Sequence, residues 1–90
     1  MHSKIIHINM KTELQYRKAV GLALLNIRTS IAEDGIKVTQ DDVASQANIS
    51  TRYYGDIERG KVTPTIYTLA KIADALQMPL HKLCEQIENY

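Results

Sequence analysis

This 90-residue chain has little of what stiffens, staples or charges a protein: one cysteine, two prolines, four glycines and a formal net charge of only +1. A single cysteine forms no internal disulfide, and Cys84 in "LHKLCEQI" reads as a small apolar helix residue. His2, His7 and His81 have neither metal-ligand spacing nor an accompanying cysteine or carboxylate cluster, so no metal or other cofactor is expected. No apolar run approaches the length of a membrane span, which argues against a membrane partner. The opening "MHSKIIHINMKTE" is too polar for a secretory signal, so a cytoplasmic location is expected. Near-zero net charge means that composition does not point to nucleic acid. Any anionic partner must be argued from where the charges fall.

What is present is one small globular domain, with 44% hydrophobic and 23% charged residues and no internal repeat or low-complexity tract. Thr12 and Gln15 fit a capping box that opens a first helix. Val20, Ala23, Leu24, Ile27 and Ile31 follow at helical spacing until "EDG" ends the pattern. Thr39 caps a short second helix, with Val38 and Val43 as a hydrophobic staple, and Asn48 supplies a residue that tolerates the left-handed turn. Ser50 caps a third helix stapled by Ile49 and Tyr54, and Gly60 closes it. A fourth helix is expected with Pro64 near its first position, and Val62 and Tyr67 form its staple if Thr63 is the cap. It carries Ile66, Leu69, Ala70, Ala73 and Leu76 on one face. After "QMP", Leu80, Leu83 and Ile87 mark a fifth.

No strand is expected between residues 12 and 90, so the fold class is all-α: five helices around one core. Residues 1–11 are set apart as an extension, because Ile6, Ile8 and Met10 alternate with polar His7 and Asn9. A lone strand has no partner in the chain. Three readings fit it: pairing with a second subunit, packing as an extended arm, or disorder.

Two capped short helices with their caps eleven residues apart, joined at Asn48, describe a helix-turn-helix. Val43, Ala47, Ile49, Tyr54 and Ile57 must face inward for the pair to cross, and Ala44 is small where the backbones meet. "TQDDVASQANISTRYYGDIERGKVTPTIYTLAKIADAL" closely resembles the lambda-repressor-like, or Cro-type, helix-turn-helix domain of the Xre family, over about residues 20–83. Asn48 in place of the usual turn glycine, Tyr54 in place of an aliphatic residue, and the longer "EDGIKV" loop depart from that pattern. The resemblance implies a transcriptional regulator, repressor or dual, that binds double-stranded operator DNA as a homodimer.

Helical geometry, about 100° per residue, places Arg52, Gly55, Asp56 and Arg59 opposite the buried Tyr54 and Ile57, with Tyr53 on one flank and Glu58 on the other. The base-reading set is therefore Thr51, Arg52, Gly55 and Asp56. An arginine in the major groove grips guanine through O6 and N7, and a threonine meets a thymine methyl or other base edges. The competing reading of Arg52 is a solvated side chain or a helical pair with Asp56. Gln40, at the first turn of the second helix, matches the glutamine that anchors the DNA backbone in the family. Lys37, Thr39, Ser50, Tyr53, Arg59 and Lys61 complete the expected backbone set.

The resemblance further implies a pair between Glu58 and Arg28, and a possible acidic contact to RNA polymerase through Asp41 and Asp42. Favourable charge at a helix N-terminus explains those aspartates equally well. Leu22, Leu25 and Ile72 lie off the main apolar stripes and widen the core face, while Ile87, Tyr90 and the N-terminal isoleucines are candidates for a dimer surface. Two other roles fit the compact size: the antitoxin of a toxin–antitoxin pair, and a restriction–modification controller that regulates its own operon. No nucleophile with a placed base, paired carboxylate or phosphate loop points to an enzyme.

Overall fold

The computed structural model describes residues 9–33 and 35–90. Five helices and one small hairpin follow in the order α1 (Glu13–Ser30), β1 (Ala32–Glu33), β2 (Ile36–Lys37), α2 (Gln40–Ala47), α3 (Thr51–Glu58), α4 (Ile66–Ala75) and α5 (Leu80–Glu88). The expected strand around Ile6 and Ile8 lies outside the described residues. Met10 is exposed and without regular structure.

Each helix start is chemically marked. The Thr12 hydroxyl accepts from the Gln15 amide at 3.2 Å while the Gln15 side chain accepts from the Thr12 amide at 2.8 Å, a reciprocal capping box. Thr39 and Asp42 repeat the arrangement at α2, and Ser50 accepts from the Tyr53 amide at 3.0 Å to open α3. Between them Asn48 takes φ 57° and ψ 45°, the left-handed turn that an asparagine tolerates. Its neighbour Ile49 donates back to the Ala44 carbonyl at 3.0 Å, which fixes the angle at which α3 leaves α2.

Two expectations about loops are corrected. A two-stranded antiparallel hairpin pairs Ala32 with Lys37 and Glu33 with Ile36, where no strand was expected. Asp-Gly between two short extended runs is a strong hairpin signal, and Gly35 adopts φ 74° in the turn. Two residues per strand are too few for an alternation to register in the sequence. The second correction concerns α4, whose cap is Thr65 and not Thr63: the Thr65 hydroxyl accepts from the Thr68 amide at 3.1 Å. Thr63 is occupied elsewhere, accepting from Arg17 Nε and donating to Glu13 Oε2, each at 2.6 Å, so it ties the loop to α1. Pro64 consequently precedes the cap, and Tyr67 is 70% exposed under Lys71 and staples nothing.

The core is built from Leu24, Tyr54, Ile57, Ile72 and Leu83, all fully buried, with Ala19, Ala23, Val43, Ala44, Ala47 and Ala73 where helices approach closely. Helix α1 packs against α3 and α5, and α2 against α3 and α4. Ile72 belongs to this core as expected, whereas Leu22 and Leu25 are half-exposed on the outer side of α1. Ile87 is buried within the domain and is not free for a dimer surface, unlike the exposed Tyr90. No helix among the described residues is long and apolar enough to cross a membrane, and no group of His, Cys, Asp or Glu among them is arranged to hold a metal ion.

Candidate nucleic-acid interface

Tyr54 and Ile57 are fully buried, so the opposite side of α3 faces outward. Thr51 and Arg52 are both exposed in its first turn. The Thr51 hydroxyl donates to Asp41 Oδ1 at 2.5 Å, which joins the N-terminal turns of α2 and α3 across the outer surface. A hydroxyl has one proton and two lone pairs. With the proton committed to Asp41, the oxygen of the exposed Thr51 is left with its lone pairs as acceptors. Arg52 has no hydrogen-bond or ion-pair partner among the described residues, because Asp56 pairs instead with Arg59, Nη2 to Oδ1 at 2.8 Å. The Arg59 guanidinium beside it holds the Asp56 carboxyl below the usual aspartate range, with Lys61 and Arg52 adding to the effect. Gly55 is buried, although it lies on the outward side of α3. The cover is Arg59, whose guanidinium lies against the glycine where a side chain would begin.

Behind this face sits a buried ion pair. Arg28 Nε and Nη2 donate to Glu58 Oε2 and Oε1 at 2.7 and 3.0 Å, and Arg28 Nη1 donates to the Val38 carbonyl at 2.9 Å. The Arg28 and Glu58 side chains are 14% and 4% exposed. One arginine thus fastens α1 to the end of α3 and to the segment entering α2. The pair implied by the family resemblance is present in spite of the longer loop. Burial works to raise the pKa of Glu58, but hydrogen bonds to the carboxylate and the Arg28 charge outweigh it, and the net shift is downward. Beside the pair, burial and then the Glu58 carboxylate push the Tyr54 hydroxyl well above its ordinary pKa.

Gln40 joins the same network, donating from Nε2 to Glu58 Oε1 at 3.0 Å. This fixes its side chain at the first turn of α2, between the buried carboxylate and the outer surface. Asp42 is engaged in the α2 capping box, and the Thr39 amide and hydroxyl hold its pKa below the ordinary value. Tyr53 is half-buried against the core, whereas Lys37 in β2 and Lys61 after α3 are exposed. The expected base-reading residues Thr51, Arg52, Gly55 and Asp56 thus share the outward side of α3 with Arg59, while Gln40, Lys37 and Lys61 lie at the start of α2, on the hairpin and after α3. Among the relationships not read from the sequence are the Asp41–Thr51 bond and the close approach at Gly21, where a Cβ would meet the backbone of Glu58. Asp41 and Thr51 begin two helices that a helix-turn-helix must bring together, which was the available signal. Gly21 carried none, because contact with α3 is invisible to helix periodicity.

The helix-turn-helix family HTH_3 matches residues 36–83, from β2 into the first turn of α5. The HTH-type transcriptional regulator DdrOP3 of Deinococcus deserti is 39% identical over 49 residues, covering 54% of this chain and 38% of that protein. The HTH-type transcriptional regulator y4dJ of Sinorhizobium fredii is 35% identical over 63 residues, 70% of this chain and 75% of the relative. The chain thus spans well under half the length of the first relative and about three quarters of the second. The clp gene regulator ClgR of Corynebacterium glutamicum superposes with a TM-score of 0.71 at 26% identity, over 82% of this chain and 73% of that one. Caps, turn, crossing helices and matched residues agree: the chain belongs to the HTH_3 helix-turn-helix family of transcriptional regulators.

Proposed function

We propose that this protein is a sequence-specific double-stranded-DNA-binding transcriptional regulator that acts as a homodimer on a two-fold-symmetric operator, with α3 lying in the major groove. The observation that carries the reading is Arg52, which stands in the first turn of α3 with its guanidinium unpartnered among the described residues. A fork of donors in that position matches guanine O6 and N7. Thr51, held by Asp41, adds acceptors suited to the exocyclic amino groups of adenine or cytosine and a methyl suited to thymine. Gln40, Lys37 and Lys61 flank α3 and serve the phosphates, fixing register without reading sequence. Whether occupancy represses or activates depends on where the operator stands relative to the promoter.

Protection footprinting on the DNA upstream of the protein's own gene tests the reading, with Arg52→Ala as the residue-level probe. The expected result is a protected symmetric site whose preference over random duplex collapses in Arg52→Ala while non-specific affinity is largely kept. Equal affinity of the wild type for operator and random duplex would remove the proposal.

A further inference from the structure

A glycine in the middle of a recognition helix, followed by an aspartate, is an unpromising way to read DNA. Gly55 has no side chain to offer, and a free carboxylate facing a groove is repelled by the phosphates. The geometry resolves both through Arg59. A Cβ placed on Gly55 would lie 2.9 Å from Arg59 Nη1, 3.0 Å from Nη2 and 3.3 Å from Cζ. The guanidinium therefore occupies the space that a side chain at position 55 would claim. Helical side chains lean toward the N-terminus, so an arginine at the end of α3 reaches back over the residue one turn earlier. Asp56 Oδ1 holds Nη2 at 2.8 Å from the neighbouring position, and its side chain is only 28% exposed. Among the described residues Nε and Nη1 make no hydrogen bond, so donors remain presented on the side of α3 that also carries Arg52.

We infer that Arg59 is a specificity-determining base reader for guanine, and that Gly55 and Asp56 are positioning residues that act through it. Gly55 leaves room for the guanidinium to lie across the helix, and Asp56 fixes its plane and neutralises its own charge in doing so. The three residues form one reading element, one turn along the helix from Arg52. Arg59 thereby leaves the phosphate-contact class to which its place at the helix end assigns it. The inference rests on the proposed mode of DNA binding, with α3 in the groove.

Selection from a randomised duplex pool tests it, using the full chain as wild type, Arg59→Lys, Arg59→Ala and Gly55→Ala, with thermal melting of each to check the fold. Wild type is expected to specify guanine at two positions in each half-site. One of these relaxes in both Arg59→Ala and Arg59→Lys, by about 5- to 150-fold in preference, because lysine keeps the charge but loses the fork. Gly55→Ala displaces only the far end of a flexible side chain, so it melts no lower than wild type and weakens preference at that same position. If Arg59→Ala weakens binding to every sequence alike and leaves the selected site unchanged, Arg59 is a phosphate contact and the inference fails while the proposed function stands. A wild type that selects no sequence at all overturns both.

Discussion

Arg28 and Glu58 meet side-on, two nitrogens to two oxygens at 2.7 and 3.0 Å, in a pocket that leaves the carboxylate 4% exposed. The two residues are thirty apart in sequence, and through them α1 grips the far end of α3. A buried pair of this kind is not by itself strong stabilisation, since both ions lose water on folding. Its consequence is asymmetric: losing one partner strands the other.

Arg28→Ala is accordingly expected to destabilise the domain by about 3–5 kcal/mol, read as a lowered urea midpoint. The double variant Arg28→Met with Glu58→Leu recovers most of that loss, because it removes both buried charges while keeping apolar volume. A double variant no more stable than the single one would place the cost in packing around Arg28 and not in the uncompensated carboxylate.

The same pair sets the response to acid. The folded pKa of Glu58 is depressed below the ordinary 4.5. Its contribution is therefore complete above pH 4.5 and is lost as pH falls through the lower folded value. Glu13, Asp42 and Asp56 are shifted in the same direction by Thr63, Thr39 and Arg59, so the acid limb is shared. Without Arg28, the burial that works to raise the Glu58 pKa is opposed by the remaining hydrogen bonds to the carboxylate, that of Gln40 among them, so the depression is reduced and with it the acid-labile contribution. Arg28→Met should then lose less stability than wild type as pH falls below 4.5, as measured by urea midpoints down the acid limb. Parallel pH profiles for the two proteins would contradict this account.

Gly21 tests packing without charge. A Cβ on Gly21 would collide with the Glu58 carbonyl oxygen and lie 2.9 Å from its carbon and 3.1 Å from the Ile57 carbonyl oxygen. These are backbone atoms of α3, so relief requires the helices to separate. Gly21→Ala should cost about 1–3 kcal/mol in spite of alanine's better helix propensity, seen as a lower melting temperature. Operator affinity should fall as well, because α3 is displaced from α1. A neutral or stabilising effect would show that the α1–α3 contact is loose.

Gly21 also marks where sequence reading stops. The caps at Thr12, Thr39 and Ser50, the left-handed Asn48 and the core faces of α1, α2 and α3 were legible because each is decided within one or two turns of chain. Thr65 displaced Thr63 as a cap because Glu13 and Arg17, some fifty residues away, engage the Thr63 hydroxyl. The outward direction of α3 was legible from Tyr54 and Ile57, but not that Arg59 folds back over Gly55, which depends on side-chain length and on the empty position at 55. Periodicity assigns faces. It does not say which atoms occupy them.

The remaining prediction separates two kinds of backbone contact. Gln40 is neutral and held by Glu58 at 3.0 Å, whereas Lys61 is an exposed cation after α3. Displacing phosphate counterions requires charge, so only the lysine contributes to the salt dependence of binding. Lys61→Ala should weaken binding to operator and random duplex alike and reduce the slope of log K against log salt by about 1. Gln40→Ala should also weaken both complexes, yet leave the slope unchanged, because it removes a hydrogen bond and not a released ion. Fluorescence anisotropy titrations at four salt concentrations distinguish them. If Gln40→Ala changes only the operator complex, Gln40 reads a base or supports one that does, and its assignment to the phosphates is wrong.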